Sequence, residues 1–147
     1  MQAGAIAILA VTAWIVVLDA LMFRQSLPAD YVSFYTSALV PRTLLAVLGS
    51  SIEEVKFRLI VMTLLVWVMS AWRKPVPAIA FAAAIVVSQF ANVGALVVAE
   101  PIYGSLRFWA VGCVWGYLYW RHGWLTALTA HAATHLLLDP LLAVALL

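Results

Sequence analysis

The sequence predicts an all-α, polytopic membrane helix bundle of about five spans plus a broken or interfacial helix, built as a single integral-membrane domain over residues 1–147. Three observations lead there. The chain is 67% hydrophobic and 10% charged, whereas a soluble domain is nearer half apolar and a quarter charged. Its mean hydropathy is +1.08. Its apolar residues gather in runs of about 20, the length a helix needs to cross the hydrocarbon core.

The first predicted span covers residues 5–23, interrupted near its end by Asp19 and closed by Arg24. Residues 25–42 mix Tyr31, Phe34, Tyr35 and Leu39 with polar side chains, a pattern that suits the headgroup zone. Within this stretch Leu27-Pro28-Ala29-Asp30 reads as a turn or helix start, and Pro41 as the first residue of the next helix. Residues 42–72 are too many for one straight span. Ser50-x-x-Glu53 and Ser51-x-x-Glu54 both match the capping box, in which hydroxyl and carboxylate satisfy free amides at a helix start. One helix is therefore expected to end near Gly49 and another to begin at Ser50 or Ser51.

Arg73-Lys74-Pro75-Val76-Pro77 reads as a loop. The third span, residues 78–99, carries Ser88, Gln89 and Asn92 in its interior and ends at Glu100-Pro101. The fourth, residues 102–120, is rich in glycine and aromatics. Its aromatics read as lipid anchors, Gly112-x-x-x-Gly116 as a helix contact, and Arg107 as a side chain that snorkels to the headgroups. Arg121-His122-Gly123 makes an interfacial turn, with His122 facing the interface. The fifth span is residues 124–147, with a kink expected at Pro140. The basic residues are spread over several loops, so the positive-inside rule selects no orientation.

Composition also excludes. A net charge of +2 with no basic run gives no reason to expect a nucleic-acid partner. The single cysteine, Cys113, rules out an internal disulfide and a multi-cysteine metal site, and reads as a small packing residue. The N-terminal apolar run has no basic region before it and is long enough to span, so no cleavable signal peptide is expected.

Two constellations carry chemistry. Four charged side chains fall within residues 53–58, between strongly apolar flanks. Each costs about 2.5–3.5 kcal/mol at mid-bilayer, which makes the cluster a functional-site candidate by default. Glu54 and Arg58 are four apart and share a helix face, so they can pair. Glu53 lies about 100° round the helix and is left for general acid or base work; the plain alternative is a helix cap with an ordinary salt bridge. The second constellation is His131, His135 and Asp139, whose spacing of four stacks them on one helical stripe. Its plain alternative is a pair of hydrogen-bonded core histidines and an Asp-Pro helix boundary. Ser88 and Asn92 share a face of the third span and read first as helix-joining polar groups, with supporting catalytic roles as the sharper possibility.

These residues resemble a known family. Glu53-Glu54-x-x-x-Arg58 is similar to the E-E-x-x-x-R motif of the CPBP family, CAAX-prenyl-endopeptidase-like intramembrane glutamic proteases. Gly116-Tyr117-Leu118-Tyr119-Trp120-Arg121-His122-Gly123, followed by His131-x-x-x-His135, resembles the family's late block, G-x-x-Y-x-R-x-G and then H-x-x-x-N or H-x-x-x-D. The resemblance covers residues 44–138, which would be the catalytic core. It implies an all-helical bundle with a polar cavity open to the bilayer, and hydrolysis of a peptide bond in a membrane-anchored protein or peptide without a metal or other cofactor. It implies that Glu53 activates water, that Glu54 with Arg58 supports the site, and that His131 and His135 polarise the carbonyl and stabilise the oxyanion. Compact members process C-terminal sorting tails of exported bacterial proteins, which implies the bacterial inner (cytoplasmic) membrane as the location. Two departures stand out. The family's F-x-x-x-H motif meets only Phe90-x-x-x-Gly94 here, with Asn92 nearby, and His135 stands where Asn or Asp is usual.

Three alternatives stay open. A zinc hydrolase would take His131 and His135 with Glu53 or Asp139 as third ligand, although His-Ala-Ala-Thr-His lacks the internal glutamate of H-E-x-x-H. A non-catalytic membrane partner or immunity-type protein would use the same polar groups for helix association. A proton-coupled transporter would use buried Glu and His as a relay, but no internal repeat supports it.

Overall fold

A computed structural model describes residues 2–71 and 74–147 of the chain. Trp72, the expected end of the second segment, and Arg73 of the following loop lie outside the described residues. Among the described residues all regular structure is helical, with no strand. Helix α1 (Gln2–Val16) runs into a π-type turn (Val17–Met22), and a short α2 (Ala29–Thr36) follows. Helix α3 (Leu39–Glu53) continues through a second π-type stretch (Glu54–Met62) into α4 (Thr63–Ser70). Then come α5 (Ala78–Ala99), α6 (Pro101–Gly104), a third π-type stretch (Ser105–Trp109), α7 (Ala110–His122) and α8 (Trp124–Ala145).

Three of these helices, Gln2–Met22, Ala78–Ala99 and Trp124–Ala145, are long and apolar enough to cross a membrane. Each also leaves large apolar side chains uncovered, such as Leu21 (76% exposed), Ile79 (74%) and Val144 (76%). Water would penalise such surface and lipid does not. The chain is a membrane protein. The other two long helical runs, residues 39–70 and 101–122, hold the acidic-basic cluster and the glycine-aromatic segment.

The break expected at Gly49-Ser50 does not occur. Helix α3 passes through it, and the two serines point backwards: Ser50 Oγ donates to Val47 O at 2.9 Å and Ser51 Oγ to the same carbonyl at 2.8 Å. A helix start in lipid would strand amides at a cost of kcal/mol, whereas serine can bond within a helix that continues. The irregularity sits four residues later, in the π-type turns. All three π-type stretches contain buried charge: Asp19, Glu54 with Arg58, and Arg107. Arg107 therefore does not snorkel; it is buried, with its guanidinium 5.1 Å from the Phe108 ring. Trp115 is likewise a core residue, 1% exposed, rather than a lipid anchor. Helix α8 continues through Pro140.

The chain divides into two compact units. The first comprises residues 1–51 and 129–147. In it Arg24 Nη1 donates to Ala145 O at 2.9 Å and Tyr31 Oη to Asp19 Oδ2 at 2.5 Å. Arg42, in the first turn of α3, is fully buried and reaches Asp139. The second unit is residues 52–128. Its centre is α5, which packs against the π-type stretch 54–62, α4, α6, the stretch 105–109 and α7. Glycines allow the close approach: a Cβ on Gly104 would lie 2.6 Å from Leu96 O, and one on Gly116 2.9 Å from Ile85 Cγ2.

Candidate functional site

In the second unit, the π-type stretch brings Glu54 and Arg58 inward together, both buried. Arg58 Nε stands 3.7 Å from Glu54 Oε1, as their spacing of four predicts. This is an ion pair but too long for a hydrogen bond. The guanidinium is anchored instead through Nη2, which donates to Gln89 Oε1 at 2.7 Å and Gly112 O at 2.8 Å. Gln89 in turn donates from Nε2 to Phe108 O at 3.2 Å. Thr63 Oγ1 donates to Arg58 O at 3.2 Å and meets Tyr119 Oη at 2.6 Å.

Glu53 shares no hydrogen bond with this network, although its charge also acts on Arg58, less than that of Glu54. Its side chain is exposed, and Asn92 Nδ2, from half-buried Asn92 on α5, donates to its Oε2 at 3.3 Å. Adjacent glutamates thus differ in burial: Glu54 is buried against the arginine, and Glu53 is exposed with a neutral amide bonded to it. Ser88 is buried and bonds back to Ile85 O at 3.1 Å, a local contact that leaves it no part in the cluster. Phe90 and Gly94, at the place of the family's middle motif, lie against each other: a Cβ on Gly94 would be 3.1 Å from the Phe90 ring. A groove of about 410 Å³ within this unit is lined by Thr63, Trp67, Phe81, Tyr119 and Trp120 among others, and by none of the predicted site residues.

In the first unit, the predicted stripe on α8 forms. The rings of His131 and His135 stack at 5.5 Å between centroids, with 28° between planes. His135 Nδ1 lies 3.5 Å from Asp139 Oδ1. The far oxygen of Asp139 faces Arg42, with Nε to Oδ2 at 3.8 Å and both side chains 1% exposed. Thr134, between the histidines, is buried and donates to Ala130 O at 2.9 Å. Among the described residues no three His, Cys, Asp or Glu side chains gather as a metal-ligand group.

Two residues of these clusters escaped the sequence reading. Arg42 looked like an interfacial flank, yet it is the counter-ion of Asp139. The available signal was that a buried carboxylate needs a cation and Arg42 opens an otherwise apolar helix. Gln89 read as one of several helix-joining amides, and its partner Arg58 is 31 residues away. No protein-family model matches this chain, and neither a curated protein nor a solved structure matches it significantly.

Proposed function

We propose that this protein is an intramembrane endopeptidase of the glutamic type, acting in the bacterial inner membrane on a membrane-anchored protein or peptide. Glu53 takes a proton from water as the water oxygen attacks the scissile carbonyl, and returns it to the departing amine, so that one C–N bond breaks and one C–O bond forms. Glu54 with Arg58 supports Glu53, Asn92 orients Glu53 or the water, and the resemblance gives His131 and His135 the role of polarising the carbonyl and stabilising its developing negative charge. The resemblance to compact members that process C-terminal sorting tails makes a C-terminal sorting or anchor segment the substrate of this reading.

One observation carries this reading: Glu54 stands in a buried ion pair with Arg58, while the hydrogen bond that reaches exposed Glu53 comes from the neutral amide of Asn92. The CPBP-like order of motifs supports it. The experiment is reconstitution of the full chain with a reporter carrying a hydrophobic C-terminal segment, comparing wild type with Glu53→Gln. Cleavage by wild type and none by the variant is the expected result; equal cleavage by both removes Glu53 as the base.

A second reading is a non-catalytic membrane partner on the same scaffold. It is favoured by position 94, where the family's histidine is replaced by glycine with the Phe90 ring against it. If no reporter is cut by wild type, and function survives Glu53→Gln combined with His131→Ala, this second reading replaces the first.

A further inference from the structure

We infer that Arg42 is a positioning residue for His135, acting through Asp139 to hold that imidazole as its Nδ1–H tautomer with Nε2 open as an acceptor. The role in catalysis rests on the proteolytic reading; the tautomer does not.

The geometry begins with Arg42, whose two terminal nitrogens are engaged while Nε makes no hydrogen bond. Nη1 donates to Phe34 O at 3.1 Å, Tyr35 O at 2.5 Å and Ser37 O at 3.0 Å, all at the C-terminal end of α2. That end gathers carbonyls at the negative pole of the helix, which favours a cation. Nη2 donates to the backbone carbonyl of Asp139 at 3.2 Å. The guanidinium carbon lies 5.4 Å from the Tyr35 ring centre and 6.0 Å from that of Phe34. A group so engaged, and only 2% exposed, is not available to a substrate. It is a fixed positive charge.

Asp139 lies between this charge and His135. Its carboxylate has no hydrogen-bond partner on either oxygen, and it is buried. Such a group is costly unless cations flank it. Arg42 Nε is the cation here, 3.8 Å from Oδ2, and His135 Nδ1 faces Oδ1 at 3.5 Å; both contacts are longer than a hydrogen bond, so the influence on the ring is electrostatic. A carboxylate balanced by an arginine accepts protons' hydrogen bonds and donates none, so the nitrogen facing it favours the N–H form. The other ring nitrogen, Nε2, is then the lone-pair side of the neutral ring. His131 stacks on the same ring and limits its rotation. Carboxylate–imidazole pairs set tautomer and orientation in this way at metal and hydrolytic sites. Here the carboxylate has its own backing arginine, 97 residues away in the chain.

The test uses the full chain in lipid nanodiscs, labelled with ¹⁵N-histidine and read by NMR at a pH where the imidazoles are neutral. The chain has three histidines, and His135→Gln assigns the signal. Wild type is expected to show His135 mainly as the Nδ1–H form. Asp139→Asn is expected to abolish that preference, and Arg42→Lys to keep most of it, since the charge remains. In the cleavage assay Asp139→Asn should lower kcat about 10–100-fold, the usual cost of losing such a partner, with KM little changed. Wild-type His135 in the Nε2–H form overturns the inference outright and needs no variant. An unchanged tautomer in Asp139→Asn also overturns it, by showing that the carboxylate does not set the ring. If wild type cuts nothing while the tautomer responds as described, the proteolytic reading has failed and the positioning role stands.

Discussion

Gly112 and Gln89 share one space: a Cβ on Gly112 would lie 1.9 Å from Gln89 Cδ. The absent side chain of α7 makes room for the amide of α5, and that amide holds Arg58. The Gly112-x-x-x-Gly116 motif is therefore more than a generic helix contact, because its first glycine houses part of the charged cluster.

Gly112→Ala should then destabilise the protein by about 1–3 kcal/mol, the usual range for overpacking, and the loss should shrink when Gln89→Ala is added. Thermal or denaturant unfolding of the four proteins in detergent reads this as a coupling energy. Additive losses would show that the two residues do not compete for space.

Gly49→Ala should do the opposite. Gly49 lies inside α3, and a Cβ there meets nothing within 4 Å. Alanine in an unobstructed helix interior gains about 0.5–1 kcal/mol over glycine. A higher midpoint of unfolding supports an unbroken helix through residues 49–51, and a lower one would restore the expected break.

Removing one partner of a buried ion pair costs about 3–5 kcal/mol, because it leaves the other charge uncompensated. Glu54→Gln and Arg58→Met should each unfold the protein readily, with Arg58→Met leaving Gln89 Oε1 and Gly112 O without their donor as well. The double variant should be more stable than the sum of its parts, measured by the same unfolding assay.

Asn92→Ala removes the one hydrogen bond donated to Glu53. A hydrogen bond of this kind is worth about 0.5–1.5 kcal/mol, so cleavage should slow about 2–10-fold, and any loss of stability should stay within that range. Asn92→Asp should be more damaging, since it sets a like charge beside Glu53. Cleavage rates of the two variants against wild type check the order.

Much of this was legible in the sequence. Apolar run length gave the all-helical membrane class and the positions of the three most apolar helices, because lipid leaves the backbone few choices. Spacing of four foretold the Glu54–Arg58 pair and the His131–His135–Asp139 stripe, because both lie within one helix. What was not legible is non-local. The serines at 50 and 51 satisfy a capping pattern and a back-bonding pattern equally, and local spacing does not decide between them. Arg42 with Asp139, and Gln89 with Arg58, join residues far apart in the chain, and helix periodicity carries no information on which buried charge meets which.

The division between adjacent glutamates is tested most directly by one comparison, the cleavage rate and the unfolding midpoint of wild type and Glu53→Gln, both reconstituted in liposomes with the tailed reporter. The account predicts an unfolding midpoint within error of wild type and a rate lower by at least about 10²-fold, as expected for loss of a general base. A Glu53→Gln protein that is equally stable and cuts at the wild-type rate would contradict it.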